Sequence, residues 1–358
     1  MRIQCPFLEV VLTSLLLPWC TTVTRGQQPS QQDPPTLSPP LHAALYPEVM
    51  CVHCVVPSWD HSYLLHVEID RGPAVVTMYD KTGKKVVEGR MWPADAAKVS
   101  VRSAGATQAG GIVAVGGGIM TDGSTQRFIA KTDVTGRTVQ SIRTESFSAC
   151  QVCEATDGTV WALGYGFDSA DLQDTDKNVL RHYSFDKGLL GSFVSLDSIS
   201  KSRDAILQIS APGKSFLRCS KDRVSVLFWP SAQYIQADGS TEKFTRWQVV
   251  APGAVGEKAT GFAVTQEGKI FVSLTDFSEA DKTRTNGLYE LQATPGPSVA
   301  ILVPVRGAHI SYDPNGIAPD GAFFRLWGAD GNELVVQRQG DGWGLSWARV
   351  SASSTTPD

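Results

Sequence analysis

Short apolar runs separated by glycine turns, rather than long stretches with a helical period, fill the chain from Tyr46 onward. The residues Gly261-Phe-Ala-Val264, Ile270-Phe-Val-Ser-Leu274, Leu288-Tyr-Glu-Leu291 and Val299-Ala-Ile-Leu-Val303 predict four successive strands, with a glycine turn after the first and a polar loop after the second. The same pattern recurs elsewhere in the chain. Cys153-Glu-Ala-Thr-Asp157-Gly158-Thr-Val160-Trp161-Ala-Leu163 aligns without gaps on Ala263-Val-Thr-Gln-Glu267-Gly268-Lys-Ile270-Phe271-Val-Ser273, a shift of 110 positions. Glycine turns at Gly83, Gly136, Gly188, Gly239 and Gly296 follow one another at 53, 52, 51 and 57 residues, so the shift of 110 covers two units. Gly331 follows Gly296 after only 35 residues, which makes the last unit look shortened.

Units of this length with four strands each predict an all-β fold, a β-propeller, because one such sheet cannot bury both faces until neighbours pack on either side. The 305 residues from Tyr46 to Val350 hold about six four-stranded blades of this size. Trp343-Gly-Leu-Ser-Trp-Ala-Arg-Val350 is a spare strand-like run, which predicts that the ring closes with strands from both chain ends. Asp157-Gly158-Thr-Val-Trp161 and Glu267-Gly268-Lys-Ile-Phe271 resemble the blades of NHL-like, six-bladed bacterial propellers. Asp222-Arg223 stands where the Asp-Gly pair would be in one unit, and the unit near Ala322 is compressed. The resemblance implies a fold and no activity, since this architecture hosts lyases, lactonases, scaffolds and receptors alike.

The termini read differently. Arg2, the apolar stretch Val10 to Trp19 and the small residues Thr22-Val23-Thr24 mark residues 1–26 as a signal peptide. Residues 27–45, rich in Pro and Gln, read as a linker, 46–350 as the propeller and 351–358 as a disordered tail. The expected location is therefore outside the cytoplasm, periplasmic or extracellular, with no membrane span once the signal is removed. Charge narrows the partners. With 32 Lys and Arg against 36 Asp and Glu, a net charge of −4 and no dense basic run, nucleic acid is not expected.

Candidate chemistry is sparse. Cys51, Cys54, Cys150 and Cys153 form two Cys-x-x-Cys pairs that suit disulfides in an oxidising compartment, with buried thiols and a thiolate zinc site as the alternatives, while Cys219 has no evident mate. The acidic loop Asp168-Ser-Ala-Asp171 and its counterpart with Asp276 and Asp281 suit calcium by ligand type, but the spacing and central glycine of an EF-hand are missing. A solvated loop, and no cofactor, is the expectation. Tyr165, Asp168, Asp171, Asp276 and Asp281 fall where second-to-third strand loops share one face of the ring, which makes them the candidate ligand-binding residues. Trp161 and Phe271 share a register and read as packing between blades. Gly116-Gly117-Gly118 reads as a strand end where backbones crowd, because no helix signal follows it. No Gly-x-Ser-x-Gly elbow and no His-Glu-x-x-His pair occurs in the sequence. The function expected is a non-catalytic exported propeller that binds a protein, peptide or glycan through one face. The alternative is a lyase or lactonase with a polar, metal-assisted site at the central channel, drawing on His66, His182, His309 and loop carboxylates.

Overall fold

Both faces of most strands are apolar, and the fold gives each face its own partner. In Ile112–Met120, Ile112 and Ala114 pack toward the preceding sheet while Val113 and Val115 pack toward the following one, all four fully buried. A strand with two apolar faces needs a sandwiched sheet, and a ring of sheets supplies that without exposed ends. The computed structural model describes residues 34–351, apart from 50–53, 69–73, 92, 94, 167–176, 200–204, 212, 222, 230, 239–242, 251–257, 279–282, 295–297, 314–317 and 341–343.

Six antiparallel four-stranded blades follow along the chain, each starting with the innermost strand; the fourth and fifth are joined at their outer strands, where residues 248–250 pair in parallel with residues 299–301. Blade 1 is Cys54–Asp60, Tyr63–Glu68, Val75–Tyr79 and Lys85–Arg90. Blade 2 is Ala96–Ala106, Ile112–Met120, Thr125–Thr132 and Thr138–Arg143, and blade 3 is Phe147–Glu154, Val160–Gly166, Asn178–Ser184 and Gly188–Ser195. Blade 4 is Ser215–Ser220, Arg223–Phe228, Gln233–Asp238 and Phe244–Val250. Blade 5 is Lys258–Val264, Ile270–Ser278, Thr283–Ala293 and Val299–Tyr312. Blade 6 takes Phe323–Asp330, Glu333–Arg338 and Gly344–Ala348 from the C-terminal end and His42–Leu45 as its outermost strand, with His42 opposite Trp347. The inner strands touch in cyclic order, and that of blade 6 returns to that of blade 1. One apolar cluster of buried side chains fills each of the six junctions. The ring is closed.

Two expectations are corrected by this closure. The stretch read as a linker up to residue 45 contributes Thr36–Leu37, which pairs with Val350–Ser351 and with Arg306, as well as the outer strand of blade 6. Leu37 and Ala44 are buried, and that burial is what draws a proline-rich segment into the fold. The last unit is not shortened either: Gly331, with φ of 61°, belongs to the turn between the first and second strands of blade 6, and the fourth strand arrives from the other end of the chain. Earlier turns are as expected. At Asp80-Lys-Thr-Gly83 and Asp133-Val-Thr-Gly136 the Asp Oδ1 accepts hydrogen bonds from the Thr N–H, 2.8 and 2.9 Å, and from the Thr hydroxyl, 2.6 Å in both. Gly83 and Gly136 close these turns at φ of 85° and 82°.

The repeat found in the sequence is structural down to its register. Cys153 faces Trp161 in blade 3 as Ala263 faces Phe271 in blade 5, and both inner strands carry a bulge at the same step, after Ala149 and after Ala259. Trp161 and Phe271 are buried between blades, Trp161 stacking on His182 at 4.2 Å and meeting Phe244 of blade 4 at 6.2 Å. Gly116 and Gly118 sit where a Cβ would come within 2.1 Å of the Ser100 carbonyl and 2.5 Å of the Lys98 carbonyl, so crowding of strand backbones explains these glycines. Among the described residues no helix is long and apolar enough to cross a membrane.

Candidate functional site

The inner strands line a channel, and residue type along them decides its character. Bulges put Arg102, Cys150 and Thr260 into it as extra residues in blades 2, 3 and 5. In blades 2 and 3 a glycine stands opposite the bulge, Gly116 facing Val101 and Gly164 facing Ala149, where the strand backbones approach too closely for a side chain. Arg218 and Arg325 enter from blades 4 and 6. The result is a cavity of about 400 Å³ at the end where inner strands begin, bordered by Ser210 at the end of the short helix Ala205–Ser210. A second cavity of about 380 Å³ occupies the other end, among first-to-second strand turns that carry His61, Gln108, Lys221 and Gly331. Asp60 and Arg218 lie on both, so this pair forms the waist between them.

The first cavity is cationic. Arg102, exposed at the mouth, donates to Ser148 Oγ at 3.1 Å and reaches Cys150 Sγ at 3.6 Å. Burial opposes the Arg102 charge, but the Tyr165 hydroxyl and the Cys150 sulfur outweigh it and hold the guanidinium in its charged form. Burial pushes the Cys150 thiol up despite Arg102, so the thiol stays protonated at neutral pH. Arg325 donates from Nε to the Thr260 carbonyl at 2.9 Å and lies 4.7 Å from the Trp327 ring centre. Arg218 donates from Nη1 to the Leu217 carbonyl at 2.8 Å, while its buried Nε has no partner. Among the described residues no carboxylate forms an ion pair with any of the three.

Asp60 is engaged at the waist. Its Oδ2 accepts the Ala106 N–H at 2.8 Å and its Oδ1 lies 3.1 Å from His61 Nδ1. Burial pushes Asp60 up, yet His61, Arg218 and the Ala106 N–H outweigh it, and the carboxyl titrates below its ordinary 3.8. Asp60 in turn raises His61 above its ordinary 6.5. Asp60, depressed on folding, gives stability that is present above about pH 4 and lost as pH falls through its lower folded value; His61, raised on folding, gives stability that is full below about pH 6.5 and lost as pH rises through its higher one. Unfolding free energy from this pair therefore declines as pH rises from about 6.5 through the raised His61 value. His61→Asn, which tolerates the φ of 52° at this turn, should flatten that decline in urea midpoints taken at both ends, and an unchanged slope would count against the assignment.

Of the residues named from the sequence, Tyr165 stands beside Arg102 at the mouth. Asp276 is not on a loop: strands Ile270–Ser278 and Thr283–Ala293 extend through that stretch, and Asp276 pairs with Thr285. Asp168, Asp171, Asp281 and Cys51 lie outside the described residues, as does the side chain of Cys54. Cys153 is bonded to Cys219 of blade 4, not to Cys150, which is a free thiol. Both Cys150 and Cys153 border the cavity, and Cys153 also packs in the junction of blades 3 and 4 beside Cys219. His66, His182 and His309 sit on the second, third and fourth strands of three different blades and do not converge on the channel. Among the described residues no three His, Cys, Asp or Glu side chains gather as a metal would require.

No protein-family model matches this chain, and no curated protein matches it. Solved structures are similar to it at low identity. One is a luciferin-regenerating enzyme, 15% identical over 89% of this chain and 96% of that one, with a TM-score of 0.40. Another is the WD40 domain of Toxoplasma gondii coronin, 10% identical over 90% of this chain and 79% of that one, with a TM-score of 0.41. A third, a protein of unknown function from Dyadobacter fermentans, is 9% identical over 87% of this chain and 99% of that one, with a TM-score of 0.45. Such distant likenesses carry no activity across, and the propeller stands on its own strand pairing and six junctions.

Proposed function

We propose that this chain is an exported, non-catalytic propeller that binds a peptide, protein or glycan partner at the face where Arg102 opens the channel. The observation that carries this reading is the chemistry of the mouth: its polar groups are fixed guanidiniums and hydrogen-bonded hydroxyls, its thiol is held protonated, and its one carboxylate is already engaged at the waist. Donors without an adjacent nucleophile and base suit recognition better than bond cleavage. Export is supported by the Cys153–Cys219 disulfide, a bond that persists in oxidising compartments. The test is a panel of immobilised peptides and glycans probed with the whole chain and with Arg102→Glu. Saturable binding to panel members that the charge reversal weakens about tenfold or more is expected. Turnover of a lactone or polysaccharide by the whole chain, with no panel member retained, would overturn it.

A further inference from the structure

The three arginines of the channel come from every second blade, Arg102 from blade 2, Arg218 from blade 4 and Arg325 from blade 6, and they meet in one cavity. Arg102 is exposed at the mouth, whereas Arg218 and Arg325 are half-buried and desolvated without an ion-pair partner among the described residues. Burial pushes Arg218 down, only partly offset by Asp60, and Arg325 is pushed down by burial and by the Arg218 charge. A guanidinium presents five N–H donors in a fixed fork. Backbone carbonyls take one donor from Arg218 and one from Arg325, and the buried Nε of Arg218 is left unmatched. In a chain with net charge −4 this is a local reversal of sign. Arg102 also lies on a third cavity of about 330 Å³ between blades 2 and 3, where Lys98 and Arg127 join it and no carboxylate among the described residues does. Beside these cations, Leu65, Val67, Phe216 and Leu217 give the channel an apolar wall.

We propose that the channel cavity is an oxyanion site: Arg218 and Arg325 hold one carboxylate or phosphate group of a small organic anion, and Arg102 holds a second at the mouth. Its volume of about 400 Å³ falls in the range of small-molecule sites. Fork geometry matches a planar carboxylate or a phosphate two donors at a time, and the apolar wall covers the carbon body. The site refines the reading that this face meets the ligand, because it names the chemical group that enters.

The test is calorimetric titration of the whole chain with citrate, galacturonate and inorganic phosphate, each at two salt concentrations, alongside Arg218→Met, Arg325→Met and Arg325→Lys. The wild type is expected to bind at least one of the three, and each Met variant to lose about tenfold or more in affinity, with Arg325→Lys intermediate. Citrate bound more tightly than phosphate identifies a carboxylate ligand, and the reverse order a phosphate. Arg218→Met also removes a charge that helps keep Asp60 ionised, so ligand-free melting temperatures are read beside the affinities; Arg325→Lys, which keeps a cation, is expected to melt with the wild type while binding less tightly, which separates lost binding from lost folding. Equal anion affinity in wild type and both Met variants, or no binding of any of the three up to about 10 mM, would overturn the oxyanion site. Should that happen while the peptide and glycan panel still responds to Arg102→Glu, the reading of the face survives and only the group assigned to it fails.

Discussion

Trp161→Ala should lower the unfolding free energy by about 3–5 kcal/mol, the range for emptying an aromatic site in a packed core. Trp161 is fully buried at the junction of blades 3 and 4, stacked on His182 with the planes 8° apart and within 5.5 Å of Phe193. Nothing nearby can fill the space, because His182 is tied to Thr159 Oγ1 at 2.7 Å. Trp161→Phe should cost much less, since it keeps most of the stack and removes an indole N–H that has no partner. Urea denaturation with both variants separates these outcomes. A loss under about 1 kcal/mol for the alanine variant would mean that the junction does not hold the ring together.

The second large effect is at the neighbouring bond. Cys153–Cys219 ties the inner strands of blades 3 and 4, with Cα atoms 5.6 Å apart and a sequence separation of 66. On loop-closure entropy alone a bridge of this span stabilises by about 4 kcal/mol. The double variant Cys153→Ala with Cys219→Ala should show that loss in urea, and dithiothreitol should bring the wild type down to the same midpoint. A midpoint indifferent to both would exclude the bridge in the native protein. Trp161 and Cys153 share one apolar cluster, so their costs should not add when combined.

The fold was legible wherever a blade repeats its hairpin chemistry. Blades 3 and 5 share the turn after the inner strand, with Gly158 and Gly268 at φ of 79° and 85°, and that common geometry preserves the gapless match. Blades 1 and 6 instead close their first hairpin in two residues, His61-Ser62 and Gly331-Asn332; blade 1 has no Asp-Gly pair there, and in blade 6 the pair Asp330-Gly331 belongs to this first hairpin rather than to a later turn, which shifts the count. Ring closure was anticipated from the spare run around Trp347, but its partner was not, because Pro-rich flanks hid a strand of only four residues, His42–Leu45. Strand ends were also set too short in blade 5, where polar positions such as Asp276 continue the pairing beyond the apolar run.

The candidate site was much less legible, for a physical reason. A lone arginine in Val101-Arg102-Ser103, Leu217-Arg218-Cys219 or Phe324-Arg325-Leu326 reads as an ordinary outward residue in a strand. Their convergence depends on the ring, which turns three distant positions toward one axis. A signal was available: an arginine recurs in the first strand of every second blade, where small and apolar residues otherwise prevail. Proximity along the chain points to the wrong partner for Cys153. Lateral neighbours across a junction, not residues three apart on one strand, bring the sulfur atoms together.

The most direct measurement is an anomalous difference map from crystals of the whole chain soaked in selenate, a heavy oxyanion of phosphate size. A selenium peak between the Arg218 and Arg325 guanidiniums is the predicted result. Peaks confined to outward-facing lysines, with the channel left to water, would contradict it.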